Sequence, residues 1–360
     1  MSDINQQISQ IEKEIRETPY HKGTEHYIGL LRARIARLKD KLLEKESKKS
    51  GGGGGYAVKK QGDATIVLVG PPSVGKSTLI NTLTNANSKI APYAFTTVSV
   101  IPGMMEYKNA KIQILDVPGL IEGAEEGKGR GKEVISVIRG CDLLIIIAEP
   151  GKEEAFRRIT LALERNGIRI NKLKPDIKIE KKVDGGIKIF SNIKQELAKE
   201  TIKEIIQEMG IKNAEIKINQ KITIEDLIDS LSRNRVYVPA IFAINKSDLL
   251  LEEKQGDGTL ENPVLISAQE KRGLDVLVET IWRKLDLINV YLVKPDEEPS
   301  FNNPIVVKNN LTLYDIAREI GEDFANSKTS AMIWGNGAKF PGQQVSLETK
   351  AKEGMMIRFI

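Results

Sequence analysis

Residues 64–79 read ATIVLVGPPSVGKSTL. A short, mostly apolar run leads into a glycine-punctuated turn and then the start of a helical pattern. Gly70 to Ser77 fits GxxxxGK(S/T), and it lies between a predicted strand and a predicted helix, the context that gives this motif its meaning. Glycines there let backbone N–H groups turn toward an anion, and the helix N-terminus adds a favourable dipole. Ser73, Val74, Gly75, Lys76, Ser77 and Thr78 are therefore candidate phosphate-binding residues. Lys76 is placed to reach the β- and γ-phosphates of a nucleotide, and the Ser77 hydroxyl to bind Mg²⁺.

Other runs repeat this texture. KIQILD ends at Asp116, GCDLLIIIAE follows, VPAIFAI leads into Asn245, and NPVLI leads into Ser267. Continuous apolar strands alternating with helical patterns predict an α/β fold with a mainly parallel, doubly wound sheet. Asp116 at a strand tip can orient a water on Mg²⁺, and Gly119, which completes DxxG, can offer its N–H to a γ-phosphate. Between this motif and the P-loop lies FTTVS at 95–99, where a threonine can close on Mg²⁺ and sense the γ-phosphate.

Asn245-Lys246-Ser247-Asp248 bears on the base. The Asp248 carboxylate can accept hydrogen bonds from guanine N1 and N2, a donor pair that adenine lacks. Asn245 supports the loop and the Lys246 stem packs over the base. Ser267, Ala268 and Gln269 follow a further strand, placing the Ala268 N–H near guanine O6. This order of motifs points to GTP and away from an ATP-using kinase or ATPase. One position departs from the Ras-like pattern. After DxxG stands Leu120, where many such enzymes have a glutamine that orients the attacking water.

The 360 residues suggest two or three domains, and a net charge of +5 argues only weakly for an acidic partner. The single cysteine, Cys141, forms no internal disulfide and reads as part of a buried strand. Two histidines, His21 and His26, are too few for a His-based metal site. The N-terminus has no secretory apolar core, and LLIIIA at 143–148 is far shorter than the ~20 residues a bilayer needs. The expectation is a cytoplasmic protein with no membrane contact.

The flanking segments read differently. Ile4, Ile8, Ile11 and Ile15, then Ile28, Leu31, Ile35, Leu38 and Leu42, predict a helical hairpin over residues 1–50, broken at TPYHKG. Its second arm, RARIARLKDKLLEKESKK, has eight Lys/Arg against three acids, either a solvated face or a contact for RNA or an acidic protein. Residues 51–63 are a glycine-rich linker. Residues 64–150 and 236–288 make the nucleotide domain, interrupted by an α+β insertion at 151–235. Within it DIKIEKKVDGGIKIF reads as two strands around a DGG turn. Residues 289–360 follow a two-strand, helix, further-strand order that suggests a β-grasp domain.

GPPSVGKST, FTTVSVIPG, DVPGLIEGAEEGKGRG, NKSD and SAQ together resemble the Obg-related GTPases. Within them the chain resembles the developmentally regulated GTP-binding (DRG) subfamily, in an archaeal or similarly compact form, over nearly its whole length. The resemblance implies a P-loop GTPase domain, an insertion like the second domain of ribosomal protein S5, and a C-terminal TGS domain. It implies Mg²⁺ ligation by Ser77 and Thr97, with Asp116 acting through water, and guanine recognition by Asn245, Lys246 and Asp248. Lys76, Thr97 and Gly119 are its candidate catalytic residues.

Some relatives use K⁺ beside the phosphates with an Asn ligand. Here that position is Ser73, which leaves backbone carbonyls for the role. A hydrophobic residue in place of the glutamine is common in the group, and hydrolysis still occurs. The resemblance further implies ribosome or rRNA association and a dedicated partner protein, with no DNA. A second reading stays open, in which nucleotide only stabilises an RNA- or protein-binding module.

Overall fold

The computed structural model describes residues 2–49, 62–84, 91–92, 99–117, 130–250 and 256–360. Thr97, Gly119 and Leu120 lie outside the described residues. The chain divides into two compact units, Met1–Gly55 with Gly167–Tyr237, and Tyr56–Asn166 with Val238–Ile360.

The second unit is built on a seven-stranded sheet. Its order is Val264–Leu265, Ala240–Ile244, Leu143–Ala148, Ala64–Val69, Ala110–Asp116, Ser99–Tyr107 and Ala91–Pro92. The first five strands are mutually parallel, Ser99–Tyr107 runs antiparallel to them, and Ala91–Pro92 pairs antiparallel with Ser99–Tyr107. Strands Ala64–Val69 and Leu143–Ala148 are buried at every position, as a sheet covered on both faces requires. On one face Ile66, Leu68, Ile112 and Ile145 pack with Leu79, Ile80, Leu277 and Ile281 from the helices Lys76–Leu83 and Leu274–Leu285. On the other face the Phe156 ring meets Phe242 edge-on at 5.2 Å.

Phe156 marks a difference from the expected boundary. It lies on the helix Glu154–Arg165, which also buries Ile159 and Leu163. That helix belongs with the large sheet, so the inserted unit starts at Gly167 rather than at residue 151. Cys141 is buried and forms no disulfide, as its apolar neighbours suggest. The C-terminal segment forms a five-stranded mixed sheet ordered Pro304–Lys308, Leu287–Leu292, Met355–Phe359, Ala331–Gly335 and Gln343–Val345. The helix Leu313–Ile320, closed at its start by a Thr312–Asp315 capping box, buries Leu313, Ile316 and Ala317 in the core with this sheet. Among the described residues, no helix is long and apolar enough to cross a membrane.

In the first unit the helices Ser2–Glu17 and Glu25–Lys49 are joined by a turn at TPYHKG. The second helix uses more than its aliphatic stripe. Ala33 and Ala36 are buried with Ile202, Ile205, Ile206 and Leu227 of the inserted segment. A methyl group at Gly29 would come within 3.0 Å of Ile224, so small residues bring these backbones close.

The inserted strands also differ from expectation. Ile177–Lys181 and Ile187–Ser191 both form, but they do not pair with each other. Ala214–Ile218 lies between them, antiparallel to the first and parallel to the second. It buries Ala214, Ile216 and Ile218, whereas its neighbours bury their isoleucines only partly, so the best-covered strand takes the centre.

A charge network closes this unit. The Asp229 carboxylate accepts from Arg169 Nε at 2.5 Å and from Arg235 Nε at 2.6 Å, all three side chains being largely buried. Removing the shared anion leaves two guanidinium groups uncompensated. We predict that Asp229→Ala lowers the stability of this unit by about 3–5 kcal/mol. Hydrogen exchange in the strand Ala214–Ile218 checks it, and unchanged protection there would mean that the network contributes no stability.

Candidate nucleotide-binding site

Parallel pairing brings the sequence motifs to one edge. Leu68 is in register with Asp116, Val69 with Ile146, and Ile244 with both Ala148 and Leu265. The chain therefore leaves the carboxyl ends of these strands at Gly70, Val117, Glu149, Asn245 and Ile266, the usual ligand edge of an open α/β sheet.

The P-loop adopts the turn its composition demands. Ser73 has φ 62° and Gly75 φ 92°, left-handed values on either side of the buried Val74. Such alternation turns successive N–H groups toward a common anion site. A Cβ on Gly75 would fall 2.3 Å from Asn245 Nδ2, so only glycine fits there. The Lys76 ammonium donates to the carbonyls of Gly70 and Pro71, both at 3.0 Å. Burial pushes its pKa below the usual lysine value, and the nearby Asp116 carboxylate opposes that shift. A half-buried ammonium whose hydrogen bonds go to neutral carbonyls favours an arriving phosphate.

Ser77 Oγ donates to Asp116 Oδ2 at 2.9 Å. Asp116 is buried, and among the described residues its Oδ1 has no hydrogen-bond partner. Hydroxyl and carboxylate oxygens side by side, with one buried oxygen unsatisfied, are the hard donors that fit Mg²⁺.

Asn245 is the junction of the site. Its Nδ2 donates to Val74 O at 2.8 Å, and its Oδ1 accepts from Ala268 N at 2.9 Å. One buried carboxamide thus joins the P-loop, its own loop and the Ser267–Ala268 loop. The Ala268 N–H, expected to face guanine O6, is directed to this side chain instead. The Ala268 carbonyl accepts from Thr82 on the P-loop helix at 3.1 Å, and Ser267 Oγ accepts from Glu270 N at 3.2 Å. Asp248, Thr78 and Gln269 are exposed.

Lys246, at φ 63°, donates to Ser73 O at 3.0 Å and also to Glu149. Glu149 was not among the residues expected from the sequence. Its carboxylate also accepts from Lys152 at 2.6 Å, and the lysines Lys152 and Lys246 hold its pKa below the usual value. The available signal was positional. A lone acid ends the run LLIIIAE, one residue past the strand that pairs in parallel with the strand before Asn245. Of the expected site residues, the structure brings together Ser73, Val74, Gly75, Lys76, Ser77, Asp116, Asn245, Lys246, Ser267 and Ala268.

The family model described as the 50S ribosome-binding GTPase matches residues 65–182, and that for the C-terminal region of the MMR_HSR1 domain matches residues 184–287. An uncharacterised GTP-binding protein of Methanocaldococcus jannaschii is 41% identical over 99% of this chain and 93% of its own length. Developmentally-regulated G-protein 3 of Arabidopsis thaliana is 39% identical over 100% of this chain and 99% of its own. Developmentally-regulated GTP-binding protein 2 of Homo sapiens is 39% identical over 96% and 95%. The chain belongs to the developmentally regulated GTP-binding protein family of P-loop GTPases. Among solved structures, the Schizosaccharomyces pombe YchF GTPase aligns with 84% of this chain at 13% identity and a TM-score of 0.45.

If Asn245 is the junction, its loss acts before any nucleotide binds. Asn245→Ala is expected to reduce the nucleotide-free stability of this unit by roughly 1–3 kcal/mol, because buried backbone groups lose their partners. Urea unfolding without nucleotide measures this. An unshifted midpoint would confine Asn245 to contacts with the base.

Proposed function

We propose that this DRG-family protein binds GTP at the carboxyl edge of the large sheet, hydrolyses it slowly with Mg²⁺, and uses the nucleotide state to control engagement with the ribosome. The observation that carries the reading is the convergence of three loops on Asn245, with Lys76, Ser77 and Asp116 grouped beside it. Lys76 then exchanges its two carbonyl partners for phosphate oxygens. The P-loop amides bind the phosphates, and the exposed Asp248 carboxylate accepts from guanine N1 and N2. Glu149 and Ser73 O hold the Lys246 stem in place over the base. Ser77, with Thr97, ligates Mg²⁺, and Asp116 acts through a water. The bound ion supplies charge neutralisation at the β- and γ-phosphates.

Leu120 cannot orient a water, so this role falls to backbone groups around Thr97 and Gly119, to a cation such as K⁺, or to a partner. That gives slow unassisted turnover. We assign the two accessory regions of this reading, the inserted segment and residues 289–360, to an S5-like second-domain module and a TGS module. The description of the matched family model supports ribosomal RNA as the target.

Single-turnover GTP hydrolysis, run in Na⁺ and in K⁺ with Ser77→Ala as control, is expected to give a rate of about 10⁻⁴ s⁻¹. A rate no higher than the control would favour a nucleotide-stabilised binding module. Co-sedimentation with ribosomes at fixed moderate salt is expected to be stronger with a non-hydrolysable GTP analogue than with GDP. Equal binding in both states overturns the switch.

A further inference from the structure

The first unit redirects the basic charge of its own helix. Arg32 pairs with Glu225, Arg34 Nε donates to Glu208 at 2.9 Å, and Arg37 donates to the Glu208 carbonyl at 3.1 Å. His26 lies 2.8 Å from Glu204. The basic helix that reads from sequence as a contact for RNA or an acidic protein is thus complementary to acidic helices inside its own unit. A second basic surface lies elsewhere. Residues 172–199 have eight lysines against four acids, and they supply the two outer strands of the three-stranded sheet.

One face of that sheet packs on the helices Lys199–Glu208 and Ile224–Leu231 through Ile202, Ile205, Leu227, Ile216 and Ile218. The other face is open. Lys178, Lys217 and Phe190 are in one cross-strand row, since Lys178 pairs with Lys217 and Lys217 with Phe190. Side chains in such a row project to the same face about 5 Å apart. Phe190 is 50% exposed, an uncommon place for a ring whose neighbour Ile189 packs against the core. The next row contains Glu180, Glu215 and Lys188, and Glu180 is paired with Lys182 at 2.6 Å. Beside the ring is a cleft of about 480 Å³ lined in part by Phe190, Asn192, Lys199, Lys217 and Asn219.

We propose that this open face binds single-stranded RNA, with an unpaired base stacked on Phe190 and its flanking phosphates held by Lys178, Lys199 and Lys217. A flat exposed ring accepts the π-face of any base, and nearby lysines track the backbone. The Asn192 and Asn219 carboxamides offer both donors and acceptors to a base edge. A base that is already paired cannot reach the ring, which sets single strands apart from duplex. The choice of RNA over DNA rests on the ribosomal reading above. The stacking site itself rests on the sheet face.

Fluorescence anisotropy tests this with the full chain, GDP-bound at fixed salt, and a short labelled RNA of mixed unpaired sequence. Phe190→Ala is expected to weaken binding about 5- to 150-fold, while Phe190→Tyr retains it. Lys217→Ala is expected to weaken binding and to lower the salt slope by roughly one. Phe190 is not part of a core, so Phe190→Ala should fold and keep the wild-type rate of GTP hydrolysis.

Equal binding of duplex RNA, or no effect of Phe190→Ala, overturns the stacking site. Equal affinity for DNA of the same sequence overturns the assignment to RNA. Displacement of the RNA by polyglutamate, alike in wild type and Phe190→Ala, would assign the face to an acidic protein and overturn the proposal. RNA binding that depends on Phe190 in a chain without GTPase activity would sustain this site while removing the proposed function, and the converse result would do the opposite.

Discussion

A single carboxamide sets the geometry of the large sheet's ligand edge. Asn245 reaches one loop through the Val74 carbonyl and another through the Ala268 N–H. The strands below are rigid and buried, but the loops above them are joined only through such contacts. The arrangement requires Gly75, because any side chain there would collide with the same amide group. It also supports Ser73 and Lys246 in left-handed conformations that non-glycine residues adopt reluctantly. Lys246 adds a second tie, from Glu149 to the Ser73 carbonyl, so the Asn245–Lys246 loop and the Ser73–Gly75 loop are coupled at two points.

The nucleotide side of the molecule was legible because its signals are local. A buried parallel strand must be apolar throughout, and an anion-binding turn needs glycine, lysine and a hydroxyl at fixed spacing. These constraints show in a window of about ten residues. Glu149 was not legible, since its role depends on which strand lies beside Leu143–Ala148. Pairing within the insertion was misread for a related reason. Two strands around a DGG turn satisfy the local rule for a hairpin, yet a third strand some twenty-five residues further on separates them. The helix Glu154–Arg165 was placed on the wrong side of the boundary because amphipathicity does not say which core a helix faces. The positions of Thr97, Gly119 and Leu120 lie outside the described residues.

Charge in the first unit shows how composition can mislead about partners. The second helix has a basic excess, and a composition reading directs it outward. In the folded unit, Arg32 and Arg34 instead face glutamates from a segment far along the chain. Ala33 and Ala36 on the same helix supply the apolar part of that contact. Exposed ion pairs of this kind add little stability individually. Their effect here is selective, since they match glutamates on the helices Lys199–Glu208 and Ile224–Leu231.

The discontinuous make-up of that unit has a consequence for synthesis. The helices Ser2–Glu17 and Glu25–Lys49 leave the ribosome long before Gly167, where their packing partner begins. At ordinary elongation rates the delay is on the order of ten seconds, far longer than a helix needs to form. During that interval the Ala33–Ala36 surface lacks the inserted residues that cover it, while the early strands of the large sheet are being made. The nascent chain must therefore keep an apolar helical surface soluble until the insertion arrives. Clustered arginines and lysines on the waiting helix serve that purpose as well as the final contact.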